Sequence, residues 1–112
     1  MKQLAVIGIA LGLFISQAAG AAETTRIGDF ALLDQNGKHH KLSWYGDQQA
    51  VVIFVQGNGC PIVRNSVPEL RAIRDQYAEQ GVQFFMLNPQ PQDTRDSIMA
   101  EATDLGYDFP IL

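Results

Sequence analysis

Ala50-Val51-Val52-Ile53-Phe54-Val55-Gln56-Gly57-Asn58-Gly59-Cys60-Pro61 is the stretch from which the fold is read. Ala50 to Val55 carries no polar residue, the pattern of a strand buried on both faces of a helix-covered sheet. Gly57-Asn58-Gly59 ends that strand with turn residues. Cys60-Pro61 then leads into apolar residues at Val63, Val67, Leu70, Ile73 and Tyr77, which recur at helical spacing. A cysteine at a strand-to-helix turn lies near free backbone N–H groups and the positive end of a helix dipole. Both favour thiolate over thiol, and the thiolate is the reactive form. The competing reading of Cys60 is a small buried hydrophobe, common for a free cysteine.

Working outward, the helix is expected from about Pro61 to Gln80. Pro68 allows either a kinked single helix or a restart, because Ser66-Val67-Pro68-Glu69 reads as a capping box. Gly81 closes it. Val82-Gln83-Phe84-Phe85-Met86-Leu87 is a second core strand, and Asn88-Pro89-Gln90-Pro91-Gln92 is a loop. Ile98, Met99, Ala102 and Leu105 mark another helix, closed by Gly106. Phe109-Pro110-Ile111-Leu112 begins a further extended segment. On the other side, Ile27–Asp34 and Lys38–Leu42 read as strands joined at Gln35-Asn36-Gly37. Asn-Gly between strand-like runs is a hairpin signal because both residues tolerate positive φ. Ser43 to Asp47 is a turn or short helix, with Trp44 and Tyr45 expected over the sheet edge or core. A hairpin followed by alternating strands and helices is an α/β order, implying parallel βαβ units.

The N-terminus has the form of a secretory signal. Met1-Lys2 is positive, Leu4 to Ile15 is an almost unbroken apolar run, and Ala19-Gly20-Ala21 fits a signal-peptidase site. The run is short for a membrane anchor. Residues 1–22 are therefore expected to be removed, which leaves residues 23–112 as one small domain outside the cytoplasm, in a bacterial periplasm. The 112 residues hold 8 basic and 12 acidic side chains, a formal charge of −4. With no basic run there is nothing for nucleic acid to bind. One cysteine in an oxidising compartment cannot close an internal disulfide. His39 and His40 are adjacent on a strand, so they point to opposite faces. They are expected to be solvated hairpin residues, with no metal or other cofactor. Arg64, one helical turn after Cys60, reads as a solvated arginine or as a stabiliser of the thiolate.

In order and spacing the chain resembles the thioredoxin-like redoxins of the alkyl hydroperoxide reductase and thiol-specific antioxidant type. That broad group includes peroxiredoxins, glutathione peroxidases and periplasmic thiol-disulfide proteins. The matching pieces are Gly28-Asp29-Phe30-x-Leu32-x-Asp34-x-x-Gly37-Lys38, Leu42-Ser43, Val51-Val52-Ile53-Phe54, Cys60-Pro61, Glu69-Leu70, Gly81-Val82-Gln83-Phe84 and Phe109-Pro110-Ile111-Leu112. The resemblance implies a thioredoxin-like fold, with an N-terminal β-hairpin, βαβαβ and a mainly parallel central sheet. It also implies that the C-terminal part of the domain is missing from this chain, exposing a sheet edge and part of the apolar core. Two departures stand out. A Cys-x-x-Cys pair would need a second cysteine at Gly57 or Val63. Peroxiredoxins carry a Pro seven residues and a Thr or Ser three residues before their peroxidatic cysteine, positions that here hold Ile53 and Gly57.

What the resemblance implies chemically is a redox-active Cys60 that attacks a small peroxide or a protein disulfide. Asn58, Gly59 and Pro61 would shape its turn, with Arg64 near it. The amides of Asn58 to Cys60 would stabilise developing negative charge, and an external thiol reductant or thiol-disulfide partner would resolve the product. After signal cleavage no membrane is involved. The alternatives are a degenerate redoxin domain that binds a partner without catalysis, or an inactive fragment.

Overall fold

The computed structural model describes residues 25–112; residues 1–22, read as a signal, lie outside them. In chain order the elements are β1 (Ala31–Leu33), β2 (His39–Lys41), a 3-10 turn (Leu42–Tyr45), β3 (Ala50–Val55), α1 (Pro61–Ala78), β4 (Val82–Leu87) and α2 (Arg95–Leu105). β1 and β2 pair antiparallel. β3 and β4 pair parallel, in register from Ala50–Val82 to Val55–Leu87. Ile111 adds a parallel bridge to Met86, with Met86 N–H donating to Pro110 O and Leu112 N–H to Met86 O. The order Ile111–β4–β3 puts β4 in the middle.

Two layers cover the sheet. On one face Phe84 and Met86 of β4 meet Val63 and Val67 of α1, Ile98 and Ala102 of α2, and Tyr107, Phe109 and Ile111. On the other face Phe85, 1% exposed, receives the hairpin, with the Tyr45 ring centroid at 5.1 Å and that of His40 at 5.2 Å, both edge-on. Arg71 and Arg74 of α1 tie down the loop after α2. Both pair with Asp108, and the Arg74 guanidinium sits 4.6 Å above the Phe109 ring.

The structure corrects several sequence expectations. β3 is not buried on both faces: Ile53 and Val55 are 38% and 61% exposed. Among the described residues it has a strand neighbour on one side only, and α1 covers only the face of Val52 and Phe54. The hairpin strands are shorter than expected. Its turn uses positive φ at Gly37 alone (79°), with Gly37 N–H donating to Asp34 O. The Asp34 carboxylate takes the N–H groups of Asn36 and Lys38 and so organises the loop. Pro68 does not restart the helix: α1 runs through it as a single helix from Pro61 to Ala78.

His40 is not solvated. It is 2% exposed, with Nε2 2.9 Å from Asp34 Oδ2 and Nδ1 2.7 Å from Tyr45 Oη. His39 stays exposed against Trp44, itself 59% exposed. Burial pushes the Asp34 carboxyl up, but hydrogen bonds from His40 and from the Lys38 and Asn36 amides outweigh it and hold it below its usual range. Gln35 is also buried: its Nε2 donates to Phe109 O at 2.9 Å and its Oε1 accepts from Ile111 N–H at 2.8 Å. One carboxamide thus replaces a strand partner for the Phe109–Ile111 segment.

Candidate functional site

Cys60 occupies the N-cap of α1, with extended backbone (φ −74°, ψ 113°) and Pro61 as the first helical residue. Proline suits that place because its missing N–H would lack an intrahelical partner anyway. No side chain caps this helix end. The first-turn amides of Ile62 and Val63 have no carbonyl within the helix to receive them. An N-cap side chain is the group placed to accept from such amides, and here that side chain is the Cys60 thiol. The dipole of an 18-residue helix adds to the same preference for negative charge. Cys60 is half-buried and packs against the apolar core.

The turn before it is held by Asp93, just ahead of α2, and by Ser97 and Glu101 of α2. Asn58 N–H donates to Asp93 Oδ2 at 2.9 Å, and Asn58 Nδ2 to Ser97 Oγ at 3.2 Å. Gly59 N–H donates to both oxygens of Glu101, at 2.9 and 2.8 Å. Ser97 and Glu101 are four residues apart on α2, and Asp93 precedes its N-cap Thr94, so α2 and the residue just before its N-cap reach back to the cysteine turn. Cys60 N–H donates to Gly57 O at 3.2 Å. The three amides expected to stabilise charge at the sulfur therefore already have acceptors, and the first turn of α1 is the free donor set. Gly59 takes φ 73°, which a non-glycine residue adopts only with strain. The Asn58 amide, followed by the Asn88 side chain, holds the Asp93 carboxyl below its usual range.

Arg64 is surface-exposed, and its guanidinium faces the Tyr107 hydroxyl. Burial pushes that hydroxyl up, and the Glu101 charge pushes the same way against Arg64. Tyr107 also feels the Cys60 sulfur, so Cys60, Arg64, Glu101 and Tyr107 form one electrostatic neighbourhood. Sequence reasoning missed Asp93, Glu101 and Tyr107. The four-residue spacing of Asp93, Ser97 and Glu101 was the available signal for the first two.

Beside Cys60 lies an open cavity of about 380 Å³, lined by Gln56, Gly57, Asn58, Val63, Gln90 and Gln92. Glycine at position 57 lets Gln90 approach, since a Cβ there would come within 3.2 Å of Gln90 Cγ. Among the described residues no group of three or more His, Cys, Asp or Glu side chains is placed to hold a metal ion. No helix among them is long and apolar enough to cross a membrane.

A family model described as AhpC/TSA family matches residues 24–112. No curated protein matches the chain. Among solved structures, a hypothetical protein from Sinorhizobium meliloti 1021 is 31% identical, with a TM-score of 0.67 over 79% of this chain and 51% of that one. Peroxidoxin BcpB from Mycobacterium tuberculosis gives 23% identity and a TM-score of 0.63, covering 77% and 55%. A thiol:disulfide interchange protein of the thioredoxin family from Chlorobium tepidum gives 17% and 0.64, covering 82% and 61%. The fold is thioredoxin-like, and the chain spans about half to three-fifths of the length of these structures.

Proposed function

The chain belongs to the AhpC/TSA family, and from that premise we propose that it is a thiol-redox protein whose attacking group is Cys60. The observation that carries this reading is the place of Cys60 as the uncapped N-cap residue of α1, half-buried at the edge of a cavity. Its thiolate attacks one sulfur of a disulfide, or one oxygen of a peroxide. In the first case a new S–S bond forms, the old one breaks, and the leaving thiolate takes the electron pair and then a proton. In the second the O–O bond breaks, Cys60 becomes a sulfenic acid, and the departing oxygen is protonated to water or an alcohol. Either product returns to the thiol through an external thiol, because the 112 residues contain one cysteine. The signal-like residues 1–22 support a periplasmic site of action.

One observation favours a second reading, a redoxin domain that binds a partner without catalysis. Asp93 and Glu101 occupy the Asn58 and Gly59 amides and bring two carboxylates to the cysteine turn. The deciding experiment follows thiol-dependent consumption of hydrogen peroxide and of a small disulfide by the wild type and Cys60→Ser, with dithiothreitol as reductant. Turnover above background that Cys60→Ser abolishes supports the thiol-redox reading. Equal, background-level rates in both proteins support the binding module.

A further inference from the structure

β3 has an open side. Gln56 N–H donates to Leu87 O at 2.9 Å, so the backbone of Gln56 faces β4. Backbone groups alternate sides along a strand. Those of Val52 and Phe54 therefore face β4 as well, and those of Val51, Ile53 and Val55 face the open side. Among the described residues no strand receives them. Free strand edges are normally guarded by charge, proline or a bulge. This one has no such guard: no residue from Gln48 to Val63 is charged, and β3 holds no proline and keeps unbroken register with β4. Ile53 and Val55 stand exposed along it. On the other face Val52 opens into a second cavity of about 370 Å³, walled by Leu70, Ile73, Tyr77, Val82 and Phe84, with no charged group. Ile73 and Tyr77 are exposed too. With the half-buried side chains between them, these residues offer on the order of 500 Å² of apolar surface, a patch of the size that marks an interaction site.

We propose that this edge pairs with the same edge of a second copy, antiparallel about a twofold axis at Ile53, to make one continuous sheet. With Ile53 opposite the second copy's Ile53, Val51 falls opposite Val55 and Val55 opposite Val51. The free N–H and C=O groups of all three residues then meet partners. The side chains form β-branched cross-strand pairs, and no like charges oppose one another along the strand. The axis leaves both apolar cavities on the same face of the joined sheet, next to one another. Two such patches supply roughly 1,000 Å², what a specific interface needs. An unrelated extended peptide would satisfy only the hydrogen bonds, whereas a second copy also brings a matching apolar face. The two Cys60 residues lie at opposite ends of the paired strands, so association needs no disulfide between them and leaves both thiols free.

The test is sedimentation of the full chain in dithiothreitol over a series of micromolar concentrations. The samples are the wild type, Ile53→Lys, Ile53→Glu, an equimolar mixture of those two variants, and Val55→Lys. The wild type is expected to dimerise. Because Ile53 meets itself across the axis, either variant at that position sets like charges face to face. Each should weaken association about tenfold or more while keeping the wild-type circular dichroism, since the side chain is already exposed. The mixture sets opposite charges face to face and should regain most of the lost affinity. Val55→Lys, at the more exposed position, should weaken association likewise. A wild type that stays monomeric at every concentration overturns the proposal, as does a dimer that dithiothreitol dissolves, because that dimer is a Cys60 disulfide. Dimerisation that none of the variants weakens, or variants that stay equally weak when mixed, also overturns it.

Discussion

Asp108→Asn tests the electrostatic tie between α1 and the segment that follows α2. The Asp108 carboxylate accepts from Arg71 Nε at 3.0 Å and from an Arg74 terminal nitrogen at 2.8 Å. Chiefly through the hydrogen bond from Arg74, its pKa falls from 3.8 to about 2. A depression of about 1.8 units, at 1.36 kcal/mol each, sets a ceiling of about 2.4 kcal/mol. The Asp108 side chain is 49% exposed, so solvent screening reduces that to about 1 kcal/mol. A folded-state pKa below the unfolded value means the stabilisation is fully present above pH 4. It fades between about pH 4 and pH 2 and is gone below that. The assay is urea denaturation of the wild type and Asp108→Asn at pH 7 and at low pH. The wild type should be more stable by about 1 kcal/mol at pH 7, equivalent to roughly 4–8 °C in a domain of this size. The gap should close by about pH 2, and it should shrink in high salt. A gap of the same size at both pH values would refute the electrostatic origin, and no gap at pH 7 would refute the tie itself.

Phe85→Ala removes the surface on which His40 and Tyr45 seat the hairpin. It should cost about 3–5 kcal/mol, and hydrogen exchange should show β1 and β2 losing protection ahead of β3 and β4; uniform loss would contradict a hairpin anchored at that ring. Gln35→Leu leaves the Phe109 carbonyl and the Ile111 N–H without their partner. It should cost about 1–3 kcal/mol by chemical denaturation, and a neutral result would show that the carboxamide bridge is dispensable. Glu101→Gln removes one negative charge beside the cysteine turn. At about 10 Å in water that is worth roughly 0.4 kcal/mol, so alkylation by anionic iodoacetate should gain about twofold relative to neutral iodoacetamide. An unchanged ratio would place the carboxylate out of electrostatic reach of Cys60.

The parts of the molecule that follow from local pattern were legible in the chain. The apolar run Ala50–Val55, the glycine turn and the helical spacing from Val63 to Tyr77 give β3, Cys60 at the helix start, and α1. Asn36-Gly37 gives the hairpin. What stayed hidden depends on single polar residues that find partners far away in sequence. Gln35 meets Phe109 across 74 residues, and Gly59 meets Glu101 across 42. A glutamine in a hairpin loop looks the same in sequence whether it is solvated or bridging two backbone groups. His40 is buried because Asp34 and Tyr45 satisfy both ring nitrogens, which strand alternation alone does not reveal. The exposure of Ile53 and Val55 could not be read from composition either, because an apolar run does not state how many strands flank it.

The claim on which the rest depends is that Cys60 is the reacting thiol, and intact-mass spectrometry with peptide mapping tests it most directly. The full chain is treated with a slight excess of N-acetylcysteine methylamide disulfide, in parallel with hydrogen peroxide, and each sample is then reduced with dithiothreitol. The expected result is a single adduct on Cys60 with at least one of the two oxidants, a mixed disulfide or a sulfenic acid, that dithiothreitol removes completely. If Cys60 stays unmodified under both conditions, even where peroxide oxidises the exposed Met99, the account of Cys60 as the attacking thiol is contradicted.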